Sequence, residues 1–466
     1  MGDRAHKAAV LNVVGLSPSV LGPHTPRLNA MVERGHIVEL TPDLPAVTCT
    51  SQSSMLTGLP VSGHGVVGNG WYDRESNEPR FWKQSNGLVH GEKIWETARA
   101  RDPGCTTANL FWWFNMYSSA DFSVTPRPRY KADGRKKPDC YSRPAGLRDR
   151  LQDRLGPFPL FRFWGPMAGI ASTRWIADAA RLVDEWHDPT LSLVYLPHLD
   201  YALQKHGPGT AQARHAAAEI DAVVGGLVDH FESRGARVMV VSEYGIEPVE
   251  NGGGPIHPNR VLRRAGLVEV RTEDGTDLLD CGACRAFAIA DHQVAHVYAR
   301  DEDSRDRARE VLQNESGVER VLDRAQLEGL GLAHERSGDL LAVAKAGHWF
   351  TYYHWLDDAR APDFARTVEI HRKPGYDPCE LFVDPRIRLP RLTLARKLAM
   401  KKIGLRTLMD VIPLDASLVR GSHGRVEAGP EHRPMLIAAR PLPAQSGGPI
   451  PMRGVHGVIL DHLFGE

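Results

Sequence analysis

Three apolar runs, each ending in polar or acidic residues, constrain this chain more than any other feature. AAVLNVVGL (8–16), LSLVYLPHLD (191–200) and ARVMVVSEYG (236–245) are rich in β-branched residues and lack a polar face. Strands of that kind are buried on both sides, as in a parallel sheet covered by helices. Between the last two lies GTAQARHAAAEIDAVVGGLVDHFESRG, with apolar residues at helical spacing and Gly235 at its end, so the unit reads strand–helix–strand. Ligands of parallel sheets gather at the carboxyl ends of the strands. Asp200, Glu243 and the segment after Val14 are expected to converge there.

One other stretch stands out, PAVTCTSQSSMLTG (45–58), where a proline and a run of hydroxyl residues separate two apolar segments. Thr48 is expected where a strand or loop gives way to a short helix, Ser51–Leu56, closed by Gly58. A hydroxyl at a helix N-terminus is either a cap or a nucleophile facing an anion.

Composition narrows the function classes. Of 466 residues 42% are hydrophobic and 24% charged, which suits a globular chain, and 57 basic residues balance 57 acidic ones. No global field draws it to a nucleic acid polymer. The apolar run near the N-terminus is too short to span a bilayer, so a cytoplasmic protein is expected. Six cysteines are too sparse for a disulfide framework, and the lone pair Cys281-Gly-Ala-Cys284 reads as free thiols.

Two stretches break the strand–helix rhythm of what otherwise reads as one domain over 1–466. Residues 116–170, rich in proline and basic residues and then in aromatics, read as an insertion or lid packed over the sheet. Residues 355–412 read as a second, irregular insertion; within it LARKLAMKKIGLR is expected to be a solvated helix with one packed face rather than a membrane anchor. FWWFN (111–115), Trp71, Tyr72, Trp82 and FRFWGP (161–166) are either core or the walls of an aromatic pocket.

In order along the chain, PAVTCTSQSSMLTGLPVSGHGVVGNGWYD (45–73), GEKIWETARARDPGCTTANLFW (91–112), LVYLPHLDYALQKHGP (193–208), VVSEYGI (240–246) and GSHGR (421–425) form a recognisable series. It resembles the nucleotide pyrophosphatase/phosphodiesterase branch of the alkaline phosphatase superfamily. Thr48, Leu56, Thr57, Gly58, His64, Gly65, Asn69, Tyr72 and Asp73 match that family's nucleophile region. The resemblance implies a three-layer α/β/α fold with inserted cap segments. It also implies two zinc ions that hold a small-molecule phosphoester while the threonine attacks it, the metals lowering the nucleophile's pKa and clamping the charged oxygens.

Carried over residue by residue, the resemblance also exposes departures. One metal site becomes Asp200, Gln204 and His423; the other becomes Val14, Thr48, Glu243 and Tyr244, and the asparagine that helps hold the developing anion is Ser51. Valine cannot bind a metal and zinc favours nitrogen and sulfur donors. The expected set, Asp200, Gln204, Glu243, Thr48 and His423, is oxygen-rich and suits one divalent cation, manganese or magnesium ahead of zinc, rather than two zincs. His198 and His206 flank Asp200 and are candidate substitute ligands, as are Asp291, His292 and His296; on a strand His292 and His296 share a face. Asn12 points to the same strand face as Val14, one pleat deeper, and is placed to replace the missing aspartate by hydrogen bonding. Two functions follow: a metal-dependent phosphoester hydrolase with Thr48 as nucleophile and Ser51 beside it, or a pseudoenzyme of the same fold that binds a ligand or partner without cleaving it.

Overall fold

The strand Ala8–Val13 is buried along its whole length and runs parallel to Leu191–Leu196 on one side and Arg237–Val241 on the other. These are the three apolar runs of the sequence, and their lack of a polar face is why they lie side by side at the centre. The computed structural model describes residues 5–132, 135–249, 253–440 and 448–465. Nine strands form the main sheet in the order Ile450–Pro451, His36–Thr41, Met435–Ala438, Arg237–Val241, Ala8–Val13, Leu191–Leu196, Thr107–Leu110, Phe122–Pro126 and Cys140–Arg143. Met435–Ala438 and Cys140–Arg143 run against their neighbours.

The expected helix between the second and third runs is Ala211–Ser233. Thr210 caps it by accepting from Ala213 N, and its buried stripe includes Ile220, Val224, Leu227 and Phe231. It packs with Ile170–His187 and Pro26–Arg34, while Val455–Phe464 gathers Thr48–Thr57 and Ile94–Arg101 into a separate group. With the sheet these helices make the α/β/α architecture expected from the sequence.

A second, antiparallel sheet has the order Ala286–Asp291, Val294–Ala299, Leu340–Ala344, Val318–Asp323. Its first hairpin corrects the reading of 290–298 as one strand. The chain reverses at His292, whose φ is +58°, so His292 and His296 do not share a face. His296 is instead held in the interior, its Nε2 2.9 Å from Val67 O. The turn abuts the main sheet's carboxyl edge, where Gln293 N donates to His423 O.

One of the two irregular stretches differs from expectation. Residues 116–170 are in part the sheet itself, since Phe122–Pro126 and Cys140–Arg143 complete its edge; the alternation of small polar and apolar residues there was hidden among prolines and cations. In 355–412 the helix Pro390–Lys402 has no fully buried residue; Leu394 packs half-buried against the neighbouring aromatic cluster, so the expected packed face is present but shallow. All six cysteines, Cys281 and Cys284 included, are buried free thiols. Among the described residues no helix is long and apolar enough to cross a membrane.

Candidate active site

The helix at Thr48 begins earlier than the sequence suggested. It spans Thr48–Thr57, with extended Val47 as N-cap and Gly58 closing it in the left-handed conformation at φ +70°. Thr48 is therefore the first helical residue, not the cap, and its hydroxyl makes no capping bond. Thr48 Oγ1 lies 3.1 Å from Tyr244 Oη, on the floor of a cavity of about 790 Å³. The Tyr244 hydroxyl is also 3.3 Å from Asp200 Oδ1, to which it donates.

Asp200 is not a strand end. The strand stops at Leu196 and the helix His198–His206 begins two residues later, which puts Asp200 in its first turn, where the helix dipole favours a carboxylate. Gln204 follows one turn on and donates its Nε2 to Asp200 Oδ2 at 2.7 Å, while its Oε1 accepts from Tyr376 Oη at 3.0 Å. Burial pushes the Asp200 carboxyl up to about 7, against the lowering effect of the bonds from Gln204 and Tyr244.

Glu243, next in the chain to Tyr244, is fully buried. Asn12 pairs across the strands with Val241, which brings its Nδ2 within 2.6 Å of Glu243 Oε1; the hydrogen-bonding substitute expected from the strand pattern is present. Gln52 Nε2 donates to the same oxygen at 2.5 Å and Gln52 Oε1 accepts from Trp113 N at 2.6 Å. Burial raises Glu243 to about 8 in spite of these donors, so it is largely protonated at neutral pH. Ser51 Oγ donates to Glu243 O at 3.2 Å and does not line the cavity. The hydroxyl expected beside the nucleophile thus fastens the helix to the sheet edge.

His423 follows the short strand Gly421–Ser422, where Gly421 is required because a Cβ would meet Leu203 O at 2.3 Å. The ring donates from Nδ1 to Ala46 O at 2.8 Å, and its Nε2 is buried without a partner, 4.0 Å from Asp200 Oδ1. Four rings stack in a column: Tyr244 on His423 at 3.6 Å, His423 on His292 at 3.7 Å, and His292 on Tyr376 at 3.7 Å. Burial holds both imidazoles well below their ordinary pKa, so they are neutral. Asp291 sets the column from below: it accepts from Asn69 N and Nδ2, sits 2.8 Å from His292 Nδ1, and is raised to about 6 by burial.

Of the five residues expected to hold a metal, Thr48, Asp200 and Gln204 line the cavity, whereas Glu243 and His423 do not. The donors do not fit a zinc pair. Val14 has no donor atom, Tyr244 lies flat on His423 with its hydroxyl bonded between Thr48 and Asp200, and the Gln204 amide is bonded at both ends. Among the described residues no cluster of three histidine, cysteine, aspartate or glutamate side chains is arranged to hold a metal ion. Of the expected substitutes, His292 lines the cavity and packs on His423, whereas His198 Nε2 is 2.9 Å from Glu219 and His206 sits at the far end of its helix.

The aromatic residues divide between the two alternatives. Phe111 and Trp112 are core, while Trp82, Trp113 and Trp164 wall the cavity with Tyr376 and Tyr201. Arg127, Lys136, Lys83 and Arg372 bring cations to it, two of them from the proline-rich stretch. Gln52 and Tyr376 were not foreseen. Gln52 is four residues from Thr48 and so shares its helix face, a usable signal; Tyr376 comes from an irregular loop and gives none.

This architecture defines an alkaline phosphatase-like protein. A family model described as type I phosphodiesterase/nucleotide pyrophosphatase matches residues 8–377. The chain belongs to that family. An uncharacterized pyrophosphatase/phosphodiesterase of Schizosaccharomyces pombe is 23% identical over 238 residues, 49% of this chain and 42% of that protein; the match therefore spans less than half of the relative. Phosphonoacetate hydrolase from Sinorhizobium meliloti 1021, solved with phosphonoformate, superposes with a TM-score of 0.63 at 16% identity, covering 97% of this chain and 94% of its own. Murine ectonucleotide pyrophosphatase/phosphodiesterase 5 gives 0.58 at 14%, covering 98% and 94%. At such identities the likeness is one of fold.

Proposed function

We propose that this chain is a hydrolase of small-molecule phosphoesters in which Thr48 attacks phosphorus. The observation that carries the reading is the hydrogen-bonded series Thr48 Oγ1, Tyr244 Oη and Asp200 Oδ1 at a helix N-terminus on the cavity floor. In this series Thr48 Oγ1 bonds to phosphorus as the bond from phosphorus to the leaving oxygen breaks, and that oxygen departs as an anion that takes a proton from solvent. The Thr48 proton passes to Tyr244 Oη while the Tyr244 proton passes to Asp200. Water then attacks phosphorus and the bond from Thr48 Oγ1 to phosphorus breaks; Oγ1 regains its proton from Asp200 through Tyr244, and the proton lost by the water passes to solvent. The helix N-terminus and the cations at the mouth favour an anionic substrate. A carboxyl poised near neutrality suits the base role.

The donor set supports fewer than two zincs. Elemental analysis of purified protein is expected to find less than two zincs per chain; two tightly held zincs would overturn that part. The six free thiols suit a reducing compartment, and we assign the protein to the cytoplasm.

Turnover of a nitrophenyl phosphodiester by wild type and Thr48→Ala tests the reading. The variant should lose turnover by at least about a thousandfold, with stability changed by about 1 kcal/mol, one hydrogen bond. Equal turnover would remove Thr48 from the chemistry. One observation favours the second reading, a ligand-binding protein without turnover: the Tyr244 ring fills the place of a metal ligand against His423. No turnover by wild type, with phosphoester binding retained, would establish it.

A further inference from the structure

The rim of the cavity is built inside out. On the helix Pro390–Lys402 the side chains turned toward the protein are Thr393, Leu394, Lys397 and Met400, all half-buried, whereas Leu392, Ala395, Ala399 and Ile403 are exposed. The last four are spaced three, four and four residues apart and form one apolar stripe. Leu392 is 64% exposed, Leu398 56% and Ile403 75%, values expected of lysine rather than of leucine. Leu389, Leu405 and Leu408 are exposed beside them, and Tyr130, Phe161 and Met167 on the facing rim of the cavity are exposed as well.

The charge here is as one-sided as the hydropathy. From Arg386 to Leu408 there are eight basic residues and no acidic one, in a chain whose total charge is zero. The flanking Asp384 and Asp410 are taken by Arg386 and Lys397. Arg388, Arg391, Arg396, Lys401, Lys402 and Arg406 have no ion-pair partner among the described residues.

We propose that Arg386–Leu408 docks this protein on an anionic lipid bilayer, with the cavity mouth facing the headgroups. An exposed apolar stripe flanked by unpaired cations is complementary to anionic headgroups over acyl chains. A second copy of the chain fits poorly, because a two-fold contact would set these unpaired cations against themselves. Leu394, Lys401 and Leu408 from the same segment line the cavity, as does the adjoining Met409, so a surface bound to the stripe borders its entrance. The inference stands without the hydrolase reading, and its test measures no turnover.

The experiment is co-sedimentation of the full chain with vesicles of phosphatidylcholine alone or mixed with phosphatidylglycerol. Binding should be at least about tenfold greater to the anionic vesicles and should fall at high salt. Leu392→Ser/Leu398→Ser/Ile403→Ser and, separately, Arg396→Glu/Lys402→Glu should each reduce it about tenfold or more, with circular dichroism and melting unchanged because these side chains are exposed. Equal or absent binding of wild type to both vesicles overturns the proposal, as does binding indifferent to salt. Concentration-dependent dimers that the serine variant abolishes, without vesicle binding, would overturn it in favour of a second copy.

Discussion

The floor of the cavity and its rim follow opposite rules. On the floor, polar groups are buried and joined in series: Tyr244 bonds both Thr48 and Asp200, Gln204 holds Asp200, and Asn12 and Gln52 share one oxygen of Glu243, while Glu243 Oε2 and the Nε2 atoms of His292 and His423 are left without partners. On the rim, leucines of Arg386–Leu408 stand in solvent beside cations of which only Arg386 and Lys397 have an acidic partner among the described residues. Burial gives the floor its chemistry, since desolvation brings Asp200 and Glu243 into the neutral pH range. Exposure gives the rim its capacity to meet another surface.

The largest expected effect breaks the floor and spares the rim. Asp200→Asn removes the proton acceptor, and turnover should fall by about 10²–10⁴, while vesicle binding is kept. Retained turnover would place the base elsewhere. In wild type kcat/KM should rise with pH through about 7 as Asp200 ionises, and a profile flat from pH 5 to about 9 would count against it. Tyr244→Phe comes next. It removes the link between Thr48 and Asp200 while the stack on His423 stays, so turnover should drop by about 10²-fold with little change in KM. A variant as active as wild type would show that the two residues communicate by water.

The smallest effect is on stability. Glu243 has its folded pKa raised from an ordinary 4.5 to about 8 by burial. Its contribution is therefore fully present below its unfolded pKa and lost as pH rises through about 8, where the buried group must ionise. Glu243→Gln should remove that loss, so the melting temperature of the variant should gain on wild type between about pH 5 and pH 9. Parallel melting curves across that range would mean that Glu243 is already charged. Rim variants such as Leu398→Ser should show neither effect, since Leu398 touches no floor residue and does not line the cavity.

The sequence by itself determined the central strands, the helix 211–233, and the placement of Thr48, Asp200, Glu243 and His423 around one sheet edge. Fully apolar runs have only one stable location, and a strand's carboxyl end carries the residues after it to a fixed edge. It also determined the departures from the family's metal set, because a missing donor is a matter of residue type alone. Tertiary structure decided what replaced the metals. Nothing local says that Tyr244 lies on His423, that Ser51 binds a backbone carbonyl, or that Glu243 does not line the cavity. These contacts join residues nearly two hundred positions apart or more, and side-chain pairing at that range leaves no periodic trace. The helix Pro390–Lys402 marks the same limit: its spacing announces a stripe, but which face meets the protein depends on neighbours the helix does not contain.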